Sequence, residues 1–179
     1  MRIKSVVFTA LTLSVILTAG AWAQTFTDVT AATNIGEVSG PFAAWGDYNS
    51  DGFYDLYVVS SSGSNKLYKN TGSGFLPDSA YSAQLPTYRG NVSLVDFDSD
   101  GDLDISVIGD ANYLLANASG AFSRVSAMPA SPSHPAGAAW ADFDNDGDLD
   151  LYISNARGIP VFYKNDAGVF SNVVGNVGL

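Results

Sequence analysis

Trp140-Ala141-Asp142-Phe143-Asp144-Asn145-Asp146-Gly147-Asp148-Leu149-Asp150-Leu151-Tyr152 sets five carboxylates within nine residues. Charges this close repel one another unless a cation sits among them. Asp142, Asp144 and Asp146 alternate, and Gly147 stands where a chain wrapping an ion turns sharply. Asp148 offers a backbone carbonyl from position seven, and Asp150 closes the loop from position nine. That order suits Ca2+, which takes six to eight oxygens. The pattern D-x-[DN]-x-D-G-x-x-D occurs twice more. Asp96, Asp98, Asp100, Asp102 and Asp104 form one copy. Asp47, Asn49, Asp51, Phe53 and Asp55 form the other, with Asn49 replacing a carboxylate and Phe53 supplying only its carbonyl. Up to three Ca2+ ions are expected, one per loop, with the first loop binding more weakly than the other two. We number these loops 1 (47–55), 2 (96–104) and 3 (142–150).

A second marker sets the period. Asn70 to Phe75, Asn117 to Phe122 and Asn165 to Phe170 each place a phenylalanine five residues after an asparagine, with glycine between, and Phe26 opens the series. The repeat is about 48 residues, a length typical of solenoids and propellers. Before each loop runs an apolar segment (41–45, 91–95, 136–140), and after it a β-branched or aromatic one (56–59, 105–108, 151–154). A third set follows at 66–69, 113–116 and 161–164. A fourth begins at each marker phenylalanine: 26–29, 75–76, 122–125 and 170–173. These runs are too short for helices and are bounded by Gly, Ser and Asn. The variable stretches 78–88 and 128–134, rich in Pro, Ser and Ala, read as loops. Four strands per repeat predict an all-β fold, a partial β-propeller of about three four-stranded blades, each with one acid loop. Repeat one covers about 26–74, repeat two about 75–121 and repeat three about 122–169, with the start of a fourth at 170–179.

The chain opens with basic Met1-Arg2-Ile3-Lys4, continues apolar from Val6 to Leu17 and reaches Ala21-Trp22-Ala23. This predicts a secretory signal peptide over 1–23, cleaved after Ala23, with the repeats occupying 24–179. The apolar run is shorter than the ~20 residues that span a bilayer, so no membrane span is expected after cleavage. The predicted location is secreted: extracellular, periplasmic or at the cell surface. There is no cysteine, so an exported chain of this kind relies on packing and bound ions rather than disulfides. The net charge of -10 argues against a nucleic-acid partner. The three loops hold 13 of the 18 acids, which ties the acidity to the loops rather than to a solvated surface.

An EF-hand would begin with the same six positions but needs an acid at position twelve and flanking helices. Position twelve is Val58, Val107 or Ile153, so the ninth-position aspartates Asp55, Asp104 and Asp150 must close the ring. Dockerin-type loops, also flanked by helices, fit no better. Tyr48, Phe97 and Phe143 at position two, and Tyr54, Leu103 and Leu149 at position eight, read as core anchors.

The blocks Ala44 to Tyr57 and Ala139 to Tyr152, followed by Leu67 to Phe75, resemble the FG-GAP and VCBS repeat proteins, which include the propeller domain of integrin α subunits. The resemblance extends over nearly all of 24–179. It implies that each loop joins the first two strands of a blade and carries calcium. The G-A-P tripeptide is replaced by Ser60-Ser61-Ser62, Gly109-Asp110-Ala111 and Asn155-Ala156-Arg157, which places the chain nearer the VCBS-type branch. Rings of that family have about seven blades, within the range of known propellers. This chain supplies about three and a quarter repeats, so it reads as a fragment of a larger propeller, with self-association to complete a ring as the other reading.

The resemblance implies a non-enzymatic binding module, acting in adhesion or protein interaction, with a protein or glycan as ligand. His134 is the sole histidine and lies in Pro132-Ser133-His134-Pro135, so a catalytic triad has no evident base. The alternative is a carbohydrate-active propeller, a lectin or an accessory module of a hydrolase or lyase. Its carboxylates would come from Asp28, Glu37, Asp78, Asp110 and Asp166, which are scattered. The sequons at Asn91 and Asn117 are read as coincidental.

Overall fold

β-branched and aromatic residues follow each acid loop, and each such run becomes the second strand of a four-stranded antiparallel sheet. A computed structural model describes residues 25–35, 40–82, 85, 87, 90–109, 111–125 and 130–175. The predicted leader, Glu37 and Asp110 lie outside the described residues. Blade 1 contains β1 (Phe42–Gly46), β2 (Asp55–Val59), β3 (Lys66–Asn70) and β4 (Phe75–Pro77). Blade 2 contains β5 (Gly90–Val95), β6 (Asp104–Gly109), β7 (Tyr113–Ala118) and β8 (Ala121–Arg124). Blade 3 contains β9 (Pro135–Ala141), β10 (Asp150–Asn155), β11 (Val161–Asp166) and β12 (Val169–Asn172). Strand order in every sheet follows the sequence, and neighbours are antiparallel.

The register repeats from blade to blade. Gly46 pairs with Asp55, Val95 with Asp104 and Ala141 with Asp150, so each acid loop is the link closed by the last pair of the first two strands. The ninth loop position is therefore also the first residue of a strand. Successive side chains of a strand point to opposite faces. In β2 and β6 every residue is buried, because both faces are covered. Tyr57, Val59 and Leu67 on the forward face of blade 1 pack with Val92, Ile105, Val107, Leu115 and Phe122 on the rear face of blade 2. Ile108 on the forward face of blade 2 packs with Leu151 and Ile153 of blade 3. The blades thus stack forward-to-rear, with β1, β5 and β9 brought together along one edge.

Close approach of blades 1 and 2 explains Gly46. A Cβ there would stand 2.9 Å from side-chain atoms of both Leu94 and Leu103.

Two segments differ from the sequence reading. Residues 26–29 form no strand, and Phe26 is 95% exposed. Phe75, Phe122 and Phe170 each enter a strand that pairs with the preceding one, whereas no described strand lies beside Phe26 to supply hydrogen bonds. Within 78–88, a single helical turn, α1 (Ser79–Ser82), replaces part of the expected loop and brings Tyr81 against the core.

Ile105 is wholly buried at the junction of blades 1 and 2. Ile105→Ala is expected to destabilise by about 2–5 kcal/mol, from lost transfer energy and the cavity left behind. Leu76→Ala, at a 57% exposed site, should stay within about 0.5 kcal/mol of wild type. Urea unfolding of both variants checks the contrast.

Candidate metal centres

The loops fold alike because two positions in each take left-handed backbone. Position four is Ser50, Ser99 or Asn145, with φ of 56°, 60° and 60°. Position six is Gly52, Gly101 or Gly147, with φ of 89°, 96° and 99°. Only glycine adopts the latter region without strain. The chain then curls over its first aspartate. One oxygen of Asp47 accepts from the N–H of Asp51 at 3.0 Å, the other from Gly52 at 2.8 Å. Asp96 and Asp142 hold the same two positions at 3.1 Å throughout. Position five then accepts from the amide of position seven, in Asp51, Asp100 and Asp146 alike.

Position nine plays a different part. Asp55, Asp104 and Asp150 are at most 1% exposed. One carboxylate oxygen accepts the amide of position two, and the other accepts the amide of the marker asparagine, Asn70, Asn117 or Asn165, at 2.7–2.8 Å. A buried charge is tolerated only when hydrogen-bonded or paired. Here it ties the loop to the third strand of its own blade.

The marker asparagines carry a role that the sequence did not disclose. Each donates from Nδ2 to the carbonyl of position eight: Tyr54, Leu103 or Leu149. Asn117 also donates to the Tyr48 carbonyl of blade 1 at 2.7 Å, and Asn165 to the Phe97 carbonyl of blade 2 at 3.1 Å. Their recurrence was visible; their reach across the blade boundary was not.

Among the predicted ligands, the structure gathers Asp96, Asp98 and Asp104 in loop 2, and Asp142, Asp144 and Asp146 in loop 3, with carboxylate oxygens within 4.8 Å of one another. Asp146 and Asp148 also meet Asp166, a residue that sequence spacing did not add to the loop. Asp47, Asp51 and Asp55 form no such trio. One carboxylate oxygen of Asp102 accepts the amide of Ser119, and one of Asp148 accepts the amide of Ala167. Asp100 holds the loop 2 turn through its bond from Asp102.

The donor set fits a hard cation: the ligands are oxygens, with no sulfur or imidazole among them. In loop 1 the Asn49 amide donates to Asp55 at 2.9 Å, which leaves Asn49 Oδ1 buried without a hydrogen-bond partner. A buried acceptor left unmatched is costly, and a cation held with Asp47 and Asp51 would satisfy it.

Two lysines change the electrostatics. Lys164 bridges Asp144 and Asp146, the latter at 2.7 Å, and Lys69 reaches Asp51 at 3.1 Å. Lys164 holds the Asp146 carboxyl below its ordinary value. Loop 2 has Ala116 at the corresponding strand position. There burial, then Asp100 and Asp96, push the Asp98 carboxyl up. Burial raises Asp104 to about 7 and Asp55 to about 6. Loop 2 therefore has the greatest unmet need for positive charge.

The profile of the FG-GAP-like repeat matches residues 47–107 and again 96–153, which together span more than half of the chain. The chain belongs to the FG-GAP-like repeat family. Each match begins on the first aspartate of a loop and ends within the second strand of the following blade, so each takes in two acid loops and crosses one blade boundary. No curated protein matches this FG-GAP-like chain.

In the cation-free protein the raised values of Asp55 and Asp104 mean that the folded state holds protons more firmly than the unfolded chain. Stability must then fall as pH rises from about 4 through 7. In chelator, the melting temperature followed by circular dichroism should drop between pH 5 and pH 8, and Asp104→Asn should flatten the slope.

Proposed function

We propose that the chain is an exported, calcium-stabilised binding module with no catalytic activity of its own. The observation that carries this reading is the threefold recurrence of one acid loop, with one hydrogen-bond scheme, at the same corner of each blade. FG-GAP-like membership supports a propeller-type interaction role. Asp47, Asn49, Asp51 and the Phe53 carbonyl would hold an ion in loop 1, beside Asp55. Asp96, Asp98, Asp104 and the Asp102 carbonyl would do so in loop 2, and Asp142, Asp144, Asp146 and the Asp148 carbonyl in loop 3, beside Asp150. Extracellular calcium modules work with dissociation constants of ~10⁻⁴ to 10⁻³ M, which suits loops as exposed as these. Among the described residues no helix is long and apolar enough to cross a membrane.

Away from the acid loops, where β1, β5 and β9 begin, lies a cleft of about 120 Å³ lined by Phe42, Asn91, Ile108 and Pro135, among others. Among the described residues its lining carries no ionisable side chain. His134 is exposed, and its ring shares a hydrogen bond with the Ser133 hydroxyl.

Millimolar calcium is expected to raise the melting temperature, and isothermal titration should count up to three ions. Asp146, which belongs to both acidic trios of loop 3, is the residue to remove. Asp146→Ala should lower the stoichiometry by one and reduce the thermal gain. Absence of any calcium heat at millimolar concentration would defeat the metal reading, and turnover in a sugar-release screen that survived Asp146→Ala would defeat the non-enzymatic one.

A further inference from the structure

The residue just before each marker asparagine is carried over the acid loop of its own blade by a fixed register. The marker amide donates to the position-nine carboxylate: Asn70 to Asp55 at 2.7 Å, Asn117 to Asp104 at 2.7 Å and Asn165 to Asp150 at 2.8 Å. The third strand is thereby pinned beside the loop one residue past Lys69, Ala116 and Lys164. Two of these three positions hold an ammonium group, and one holds only a methyl group.

The lysines reach one particular atom. At position five, Asp51, Asp100 and Asp146 each commit Oδ1 to the amide of position seven. In loop 1 the other oxygen, Asp51 Oδ2, lies 3.1 Å from Lys69 Nζ. In loop 3, Asp146 Oδ2 lies 2.7 Å from Lys164 Nζ, which also binds Asp144 Oδ2. The Lys164 side chain is 29% exposed and that of Lys69 45%, so the loop 3 bridge is both double and better shielded from water. Among the described residues no lysine or arginine forms an ion pair with a loop 2 carboxylate.

We propose that Lys164 and Lys69 are built-in competitors for calcium and set the order of filling, loop 2 ahead of loops 1 and 3. Calcium draws its shell from carboxylate oxygens, and in loops 1 and 3 an ammonium already holds some of them. That ammonium must swing away on its flexible stem, or share its oxygens with a second cation at close range. Either course costs affinity, whereas loop 2 has no tethered charge to move. The same lysines relieve carboxylate repulsion, so they stabilise a blade when calcium is scarce and oppose the ion when it is plentiful. Three graded sites respond over a wider range of calcium than three equal ones. The inference rests on the calcium reading of the loops and deepens it, by naming the side chains outside the loops that grade them.

A calcium titration of the purified chain, labelled with heavy-nitrogen glycine and followed by NMR, reads each loop by itself. The amides of Gly52, Gly101 and Gly147 donate to the position-one carboxylates of loops 1, 2 and 3 and report on them separately. The Gly101 midpoint should lie below the other two. Lys164→Met keeps the stem and removes the charge. It should lower the Gly147 midpoint about three- to thirtyfold, as one or two exposed ion pairs can supply, and leave Gly101 in place. Lys164→Arg should keep the wild-type order, and Ala116→Lys should raise the Gly101 midpoint. Melting supplies a readout that plain packing would not move: Lys164→Met should melt below wild type in chelator but no lower than wild type in saturating calcium. A Gly147 midpoint that Lys164→Met leaves unchanged or raises, a Gly101 midpoint at or above the others, or an equal melting deficit in both conditions would overturn the proposal. Lys164→Met alone decides if Ala116→Lys misfolds. Absence of any shift at all three glycines defeats the calcium reading and this inference together, whereas shifts blind to Lys164→Met defeat the inference alone.

Discussion

A carboxylate buried at the start of each second strand is the constraint on which the rest of a blade depends. Asp55, Asp104 and Asp150 each bind two backbone amides, one from the acid loop and one from the third strand. A buried charge with fewer partners would cost several kcal/mol, so neither amide is dispensable. The same residue closes the strand register, fixes where the loop ends and sets how deep its negative charge sits. Loop and sheet are therefore one unit, and charge balance in the loop is felt as stability of the blade.

The three loops share this scaffold but not its electrostatics. Loop 3 has Lys164 and loop 1 has Lys69 lying over their carboxylates, whereas loop 2 has an alanine at the same strand position and the carboxyl pushed up furthest. A tethered ammonium relieves repulsion without completing an oxygen shell, and it must leave, or share its carboxylates, when a divalent ion enters. Loop 1 combines such a lysine with only three aspartates and an unpartnered amide oxygen. The charge environment of each loop thus follows side chains outside the loops as much as the loops themselves.

Much of this was legible in the sequence because it is local. Acid spacing with a glycine at position six encodes the turn, and β-branched runs after each loop encode the second strands; β2, β6 and β10 appear where those runs stand. What failed to show was non-local. Phe26 repeats the marker pattern, yet a strand is defined by its neighbour, and none of the described strands lies beside it. Asn117 and Asn165 mark the repeat period, but nothing in a one-dimensional pattern says that their side-chain amides donate to carbonyls 69 and 68 residues away in the preceding blade. Asp166 and Lys164 reach the loop from the third strand for the same reason: a hairpin, not sequence spacing, brings them near.

These asparagines also explain how blades act on one another. Asn117 Nδ2 holds the position-eight carbonyl of loop 2 and the position-two carbonyl of loop 1 through its two hydrogens, and its Oδ1 accepts from Gly120. Asn165 repeats the arrangement between loops 3 and 2, with Gly168. Each side chain is saturated only when both loops are in place. The asparagine side chains therefore tie the backbone of each loop to that of the loop before it. In a stack of repeats whose contacts are between neighbours, such ties link the arc one asparagine at a time.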